Sequence, residues 1–273
     1  MAPAVASSAA GARLSWHVVP AAGVAMAAVL LFGFQLGGVG HAVLGLAVLG
    51  AFARDRELGK DLGLVALGVA IVSTTSVEAD LSWDRFLTIG AVLALAVAVP
   101  FTVDRVVLRR EAIRFPWRSG QRWTPLEKAY LVMVPILGWL ILPFYFIRSG
   151  AYQNWPAVTD GGELARFFVG VNAVGTWDEL FFICTCFALL RRHFPVWLAN
   201  FLQATIFVSF LWELGYREWG PFLTAPFALL QWWLFTRTRS LGYVLIVHLL
   251  FDAVVFLAIV HAHNRDVFAI FLY

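Results

Sequence analysis

The run from Thr176 to Leu190, TWDELFFICTCFALL, decides how this chain is read, because Asp178 and Glu179 stand side by side in a stretch otherwise apolar enough to span a bilayer. An ionised carboxylate at membrane depth costs roughly 2.5–3.5 kcal/mol on insertion scales, so acids in such runs face a bundle interior and are paired or functional. The second strong ionisable pair in an apolar run is His248 and Asp252, in SLGYVLIVHLLFDAVVFLAIV. Four residues apart on a helix, these two point the same way. The expectation is that two helices meet and that Asp178, Glu179, His248 and Asp252 form one site.

Working outward, the composition sets the class. Hydrophobic residues make up 61% of the 273 and charged residues 14%, with a mean hydropathy of +0.79, far from the roughly one quarter charged of a soluble domain. The chain reads as an all-α, polytopic transmembrane helical bundle of about eight or nine spans with short loops. The spans fall near 17–36, 39–53, 62–77, 87–107, 129–147, 164–190, 196–215, 220–236 and 240–261. The second and third are short and rich in Gly and Ala, which suits a tilted, partly re-entrant or tightly packed segment. The N-terminal MAPAVASSAAGARLSWHVVP is read as the lead into a retained first span rather than a cleaved signal peptide.

The longest polar interval, Arg105 to Lys128, is the seam between two halves: residues 1–108 as N-terminal transmembrane helices and 109–273 as a core. Thr124 to Glu127 spells a capping box with Pro125 at the first helical position, so a helix starts there. Asp160 with Glu163 three residues on marks another start, ahead of the helix that bears Asp178. Every second loop is basic: Arg54, Arg56 and Lys60; Arg109 to Lys128; Arg191 and Arg192; Arg237 and Arg239. Basic loops lie on the cytoplasmic side, so the N-terminus is expected in the cytoplasm and the C-terminus outside it, in an integral membrane protein of a bacterial inner (plasma) membrane. The same charge pattern accounts for the formal net +3, and no basic and aromatic clustering points to nucleic acid. The arginines interleaved with Trp117 and Trp123 read first as a topology-setting loop and second as an interfacial segment on anionic lipid.

Other chemistries lack residues. Cys184 and Cys186 diverge by about 200° on a helix and read as packing groups. No spacing suits a metal, and the four-residue site offers one imidazole where zinc takes more nitrogen or sulfur. His17, His41, His193, His261 and His263 fall at span ends or tails. There is no nucleophile elbow and no phosphate-binding glycine loop. No cofactor is expected.

Over residues 109–273 the chain resembles the CPBP intramembrane proteases, the superfamily of Rce1-type CAAX prenyl endopeptidases and of bacteriocin-processing and self-immunity proteins. That family reads E-E-x-x-x-R on one helix, F-x-x-x-H on the next and H-x-x-x-N or D near the end. Here Asp178-Glu179-Leu180-Phe181-Phe182-Ile183 falls on the first motif, Phe207-Val208-Ser209-Phe210-Leu211 on the second and His248-Leu249-Leu250-Phe251-Asp252 on the last. The resemblance implies a helical bundle around a membrane cavity. In it the first acid and the middle histidine activate water, the last motif stabilises the oxyanion, and the arginine pairs with the second acid. The departures are Asp178 for the first acid, Ile183 for the arginine, Leu211 for the middle histidine and Asp252 for asparagine. An ionised aspartate repels an oxyanion, so Asp252 has to be protonated or to hold His248 as a donor. Glu179, without a cation at 183, needs another partner, and His248 is the candidate. Glu213, two residues past Leu211, lies about 200° around the helix from it.

Three functions remain open on these residues. One is a membrane-embedded endopeptidase in which Asp178 or Glu179 activates water and His248 and Asp252 bind the scissile carbonyl. The second is a catalytically degenerate member that binds a partner as a scaffold or immunity protein. The third, weaker for want of an inverted repeat, is a proton-coupled transporter. The expected partners are membrane lipid and a membrane-anchored or membrane-inserted peptide or protein.

Overall fold

The computed structural model describes residues 6–272, with side chains from residue 16 onward. The start of the leader, residues 1–5, lies outside the described residues. Among those described, every regular element is helical. The elements are α1 (Ala6–Ala28, closing in a π turn, Val29–Gly33), α2 (Gly37–Arg54), α3 (Arg56–Val72), α4 (Trp83–Thr102, closing in a π turn, Val103–Val107) and α5 (Pro125–Ser149). A 3-10 turn, Ala151–Asn154, follows, then α6 (Gly161–Asp178), a π stretch (Glu179–Phe187), the short α7 (Ala188–Leu190), α8 (Val196–Leu214), α9 (Gly220–Thr238) and α10 (Leu241–His263).

Among the described residues, seven stretches are long and apolar enough to cross a membrane: Trp16–Gly33, Gly37–Arg54, Trp83–Val107, Pro125–Ser149, Gly161–Leu190, Val196–Leu214 and Leu241–His263. The expected nine therefore correspond to nine long helices of which α3 and α9 fall short. α3 has 17 residues and puts Arg56, Glu57, Lys60 and Asp61 in its first two turns; α9 carries Pro226, Gln231 and Arg237 among its apolar residues. Both close the bundle from within as well as extending it.

The helix starts follow the local chemistry read from the chain. Thr124 and Glu127 form the reciprocal capping box of α5, and the Asp160 side chain accepts from the Gly162 and Glu163 amides at the start of α6. Asp55 caps α3 in the same way, and Ser240 caps α10 through the Tyr243 amide. The helices α1 to α4 pack one on the next, α8 lies against α1 and α9, and α10 is held between α5 and α6. Of the readings open for the short Gly/Ala-rich helices, close packing is what the structure shows: a Cβ on Gly59 would strike the Phe52 ring, and one on Gly40 the Leu31 side chain.

The basic segment after α4 is docked rather than loose. The carbonyls of Pro116 and Trp117 accept from the Leu241 and Gly242 amides at the start of α10. Beside it Asp61, buried on α3, accepts from Arg110 and Arg192 at 2.7 Å each and pairs with His193 at 2.7 Å. Arg110 also reaches Asp104 at 3.1 Å. Burial by itself pushes the Asp61 carboxyl up, but the His193 hydrogen bond and the Arg110 and Arg192 charges outweigh it and hold the group below its ordinary range. Thus α3, the segment after α4 and the turn after α7 meet on one carboxylate.

Candidate functional site

The site is assembled where α6 gives way to the π stretch. A π turn closes its hydrogen bond one residue further along than an α turn and is frequent at functional sites. Here the change begins at Glu179, directly after Asp178, and Thr185 Oγ1 donates to the Leu180 carbonyl five residues back, in step with the wider turn. The regular α-helix assumed from the sequence through Leu190 is therefore interrupted. The side chains of Asp178 and Glu179 both reach the His248 ring, from two sides. Nδ1 of His248 donates to Glu179 Oε1 at 2.7 Å, while Nε2 lies 3.8 Å from Asp178 Oδ2 and 3.7 Å from Asp252 Oδ1.

All four residues are buried, so the expected meeting of the two helices at similar depth is what the structure contains. The distance of 2.7 Å also supplies the partner that Glu179 needed. A second partner was missed: Gln231 Nε2 on α9 donates to the same Glu179 Oε1 at 2.7 Å. Gln203 on α8 is its counterpart across the site, buried and facing the same small space. Both were legible as amides in apolar runs, ANFLQATIF and FALLQWWLF, where an unpaired polar group is costly.

One glycine makes the arrangement possible. A Cβ on Gly175 would run into Oδ2 of Asp252 and crowd the His248 ring, so α6 and α10 approach through a residue with no side chain. Beneath, Trp177 stacks on Phe181 with centroids 5.0 Å apart, and Phe182 meets Phe207 edge-on at 4.8 Å. Phe227 of α9 lies edge-on to His248 at 5.0 Å. These rings fix the rotamers of the polar groups they surround.

A cavity of about 440 Å³ ends on Asp178, His248 and Asp252. Its walls are apolar faces of α4 (Phe86, Gly90), α6 (Phe167, Val174) and α9 (Leu223, Phe227), and it runs to the loops bearing Val77, Trp155 and Tyr216 at the end opposite the basic loops. Leu211, at the position of the family's middle histidine, lines this cavity, and Ile183, at the position of its arginine, is buried against the acids. Glu213 does not replace either: it is buried at the far end of α8 and accepts from the Val77 amide. Cys184 and Cys186 are buried and free. Among the described residues, no group of three or more His, Cys, Asp and Glu could hold a metal ion.

An apolar bundle that buries two adjacent acids, a histidine and a third acid at the end of a cavity defines an integral membrane protein with a buried polar centre. Residues 160–254, from the start of α6 to the middle of α10, match the family model described as type II CAAX prenyl endopeptidase Rce1-like. The resemblance drawn from the three motifs is borne out over that segment, which is similar to the CAAX-protease family. No curated protein and no solved structure matches it.

Proposed function

We propose that the protein is an intramembrane endopeptidase that hydrolyses a membrane-anchored or membrane-inserted peptide. The observation that carries this reading is the convergence of Asp178, His248 and Asp252 on the floor of an apolar cavity large enough for a peptide segment. An acid takes a proton from water, and the hydroxide adds to the scissile carbonyl carbon. His248, held through Nδ1 by Glu179, donates from Nε2 to the oxyanion, with Asp252 balancing the imidazolium charge. Collapse breaks the C–N bond, and the leaving amine takes up the proton held by the acid. The apolar walls favour a substrate presented from the lipid. The alternation of basic loops supports a bacterial inner-membrane setting with the N-terminus in the cytoplasm.

The test is cleavage of tagged membrane peptides by the purified protein in nanodiscs. Cleavage by the native chain that disappears with Asp178→Asn or Glu179→Gln supports the proposal; cleavage that persists in both overturns it. The buried Ile183 and Leu211, where the family places an arginine and a histidine, favour a second reading as a non-catalytic partner-binding member. That reading expects no turnover and a stable co-purifying membrane partner lost on His248→Ala.

A further inference from the structure

Behind the floor of the large cavity lies a second, much smaller space of about 10 Å³, whose walls include Asp178, Glu179, Gln203, Phe207, Gln231 and His248. Asp178, Phe207 and His248 belong to both sets of walls, so they form the partition between the two spaces. Four of the lining residues carry a buried oxygen with no hydrogen-bond partner in the protein: Asp178 Oδ1, Glu179 Oε2, Gln203 Oε1 and Gln231 Oε1. Gln203 is 1% exposed, Glu179 1%, and Asp178 and Gln231 3% each, so bulk water does not serve them.

A space of that size holds the centre of one water and no more, and a buried water is held by two to four polar partners. Two carboxylate oxygens accept its two hydrogens. Gln231 gives one amide hydrogen to Glu179 Oε1 and has a second to offer, and Gln203 turned about its last torsion presents its NH2 group, so the two amides can donate to the oxygen of the same molecule. We propose that this space binds a single water and that Gln203 and Gln231 are its positioning residues, holding it against Asp178 and Glu179. Resting on the endopeptidase reading for its purpose, the site supplies the hydrolytic water. The amides of α8 and α9 then do here what Leu211 cannot. Asp178 belongs to both sets of walls, so the acid that takes the proton of this water also faces the peptide.

The experiment has two readouts. The first is a crystallographic or cryo-EM map of the native protein, Gln203→Leu and Gln231→Leu at a resolution that shows ordered buried waters. The second is kcat and KM for peptide cleavage, with thermal melting to confirm that each variant folds. The expected result is one water peak between the four side chains in the native map, lost in the leucine variants. With it, kcat falls by roughly tenfold or more while KM stays within about twofold, the split for a group that acts on the chemical step. Gln203→Glu, which keeps a polar atom at that place, is expected to retain the peak and to shift the pH profile of kcat. A native map with other buried waters resolved and none here overturns the proposal, whether or not peptide is cleaved. A peak and a kcat both unchanged in the leucine variants overturn the role of the two glutamines. A peak that the leucine variants lose, in a native protein that cleaves nothing, supports the water site and removes the endopeptidase reading instead.

Discussion

Nδ1 of His248 lies 2.7 Å from Oε1 of Glu179, a contact between residues 69 apart in sequence that joins the π stretch to α10. Removing the imidazole leaves a buried carboxylate short of a donor, with Gln231 remaining to it. His248→Ala is expected to destabilise the protein by roughly 1–3 kcal/mol in reversible unfolding from detergent, the cost of stranding one buried polar partner. Glu179→Gln keeps the shape and removes a buried charge, and its stability is expected within about 1 kcal/mol of native. A larger loss for Glu179→Gln than for His248→Ala would contradict this account of the pair.

Gly175→Ala puts a methyl group where the Asp252 carboxylate sits. Overpacking of a tight contact costs about 1–3 kcal/mol, and here it also displaces Asp252 from His248. Because Asp252 is the obstacle, Asp252→Ala is expected to recover part of that loss in the double variant. The coupling from a double-mutant cycle measures it, and strictly additive effects would show that the two positions do not meet.

The Asp61 cluster gives an acid limb to stability. The folded carboxyl is held below its unfolded value of about 3.9. Its contribution is therefore fully present above that value and is lost as pH falls through the lower folded one. Melting followed from pH 7 to pH 3 is expected to show the loss setting in below about pH 4. Asp61→Asn is expected to lower stability at pH 7 by roughly 1–3 kcal/mol and to flatten that acid limb. An acid limb of the same depth in the variant would assign it to other carboxylates.

Cysteines introduced at Ser119 and Asn264 are expected to label from opposite faces of intact cells, Ser119 from the cytoplasm and Asn264 from outside. The two positions flank α5, α6, α8, α9 and α10, five long helices whose ends alternate. Labelling of both from one side would overturn the orientation drawn from the basic loops.

How far the chain disclosed itself varies by residue. The helices, their caps at Thr124 and Asp160, and the acid–histidine pairing were readable because apolar period, capping spacing and the cost of membrane charge act locally or through one strong constraint. The π stretch was not, since no residue type marks a widened turn. Nor was the choice of Gln231 as the second donor to Glu179, which depends on how α9 is rotated against α6, a matter of packing rather than of sequence spacing. The expected eight or nine spans agree roughly with the nine long helices, though α3 is not an ordinary apolar crossing. Its first turns instead carry the carboxylate around which Arg110, Arg192 and His193 gather.

The missing side chain at position 175 also governs traffic. With the Asp252 carboxylate lying on the bare backbone of α6, the acids are walled off on the α6–α10 side, and the His248–Glu179 bond fastens that wall. On the proposed endopeptidase reading, a guest comes along the cavity lined by α4, α6, α8, α9 and α10, to Asp178 and His248. A slim, extended backbone can make that journey, whereas a folded helix about 10 Å across has to unwind first.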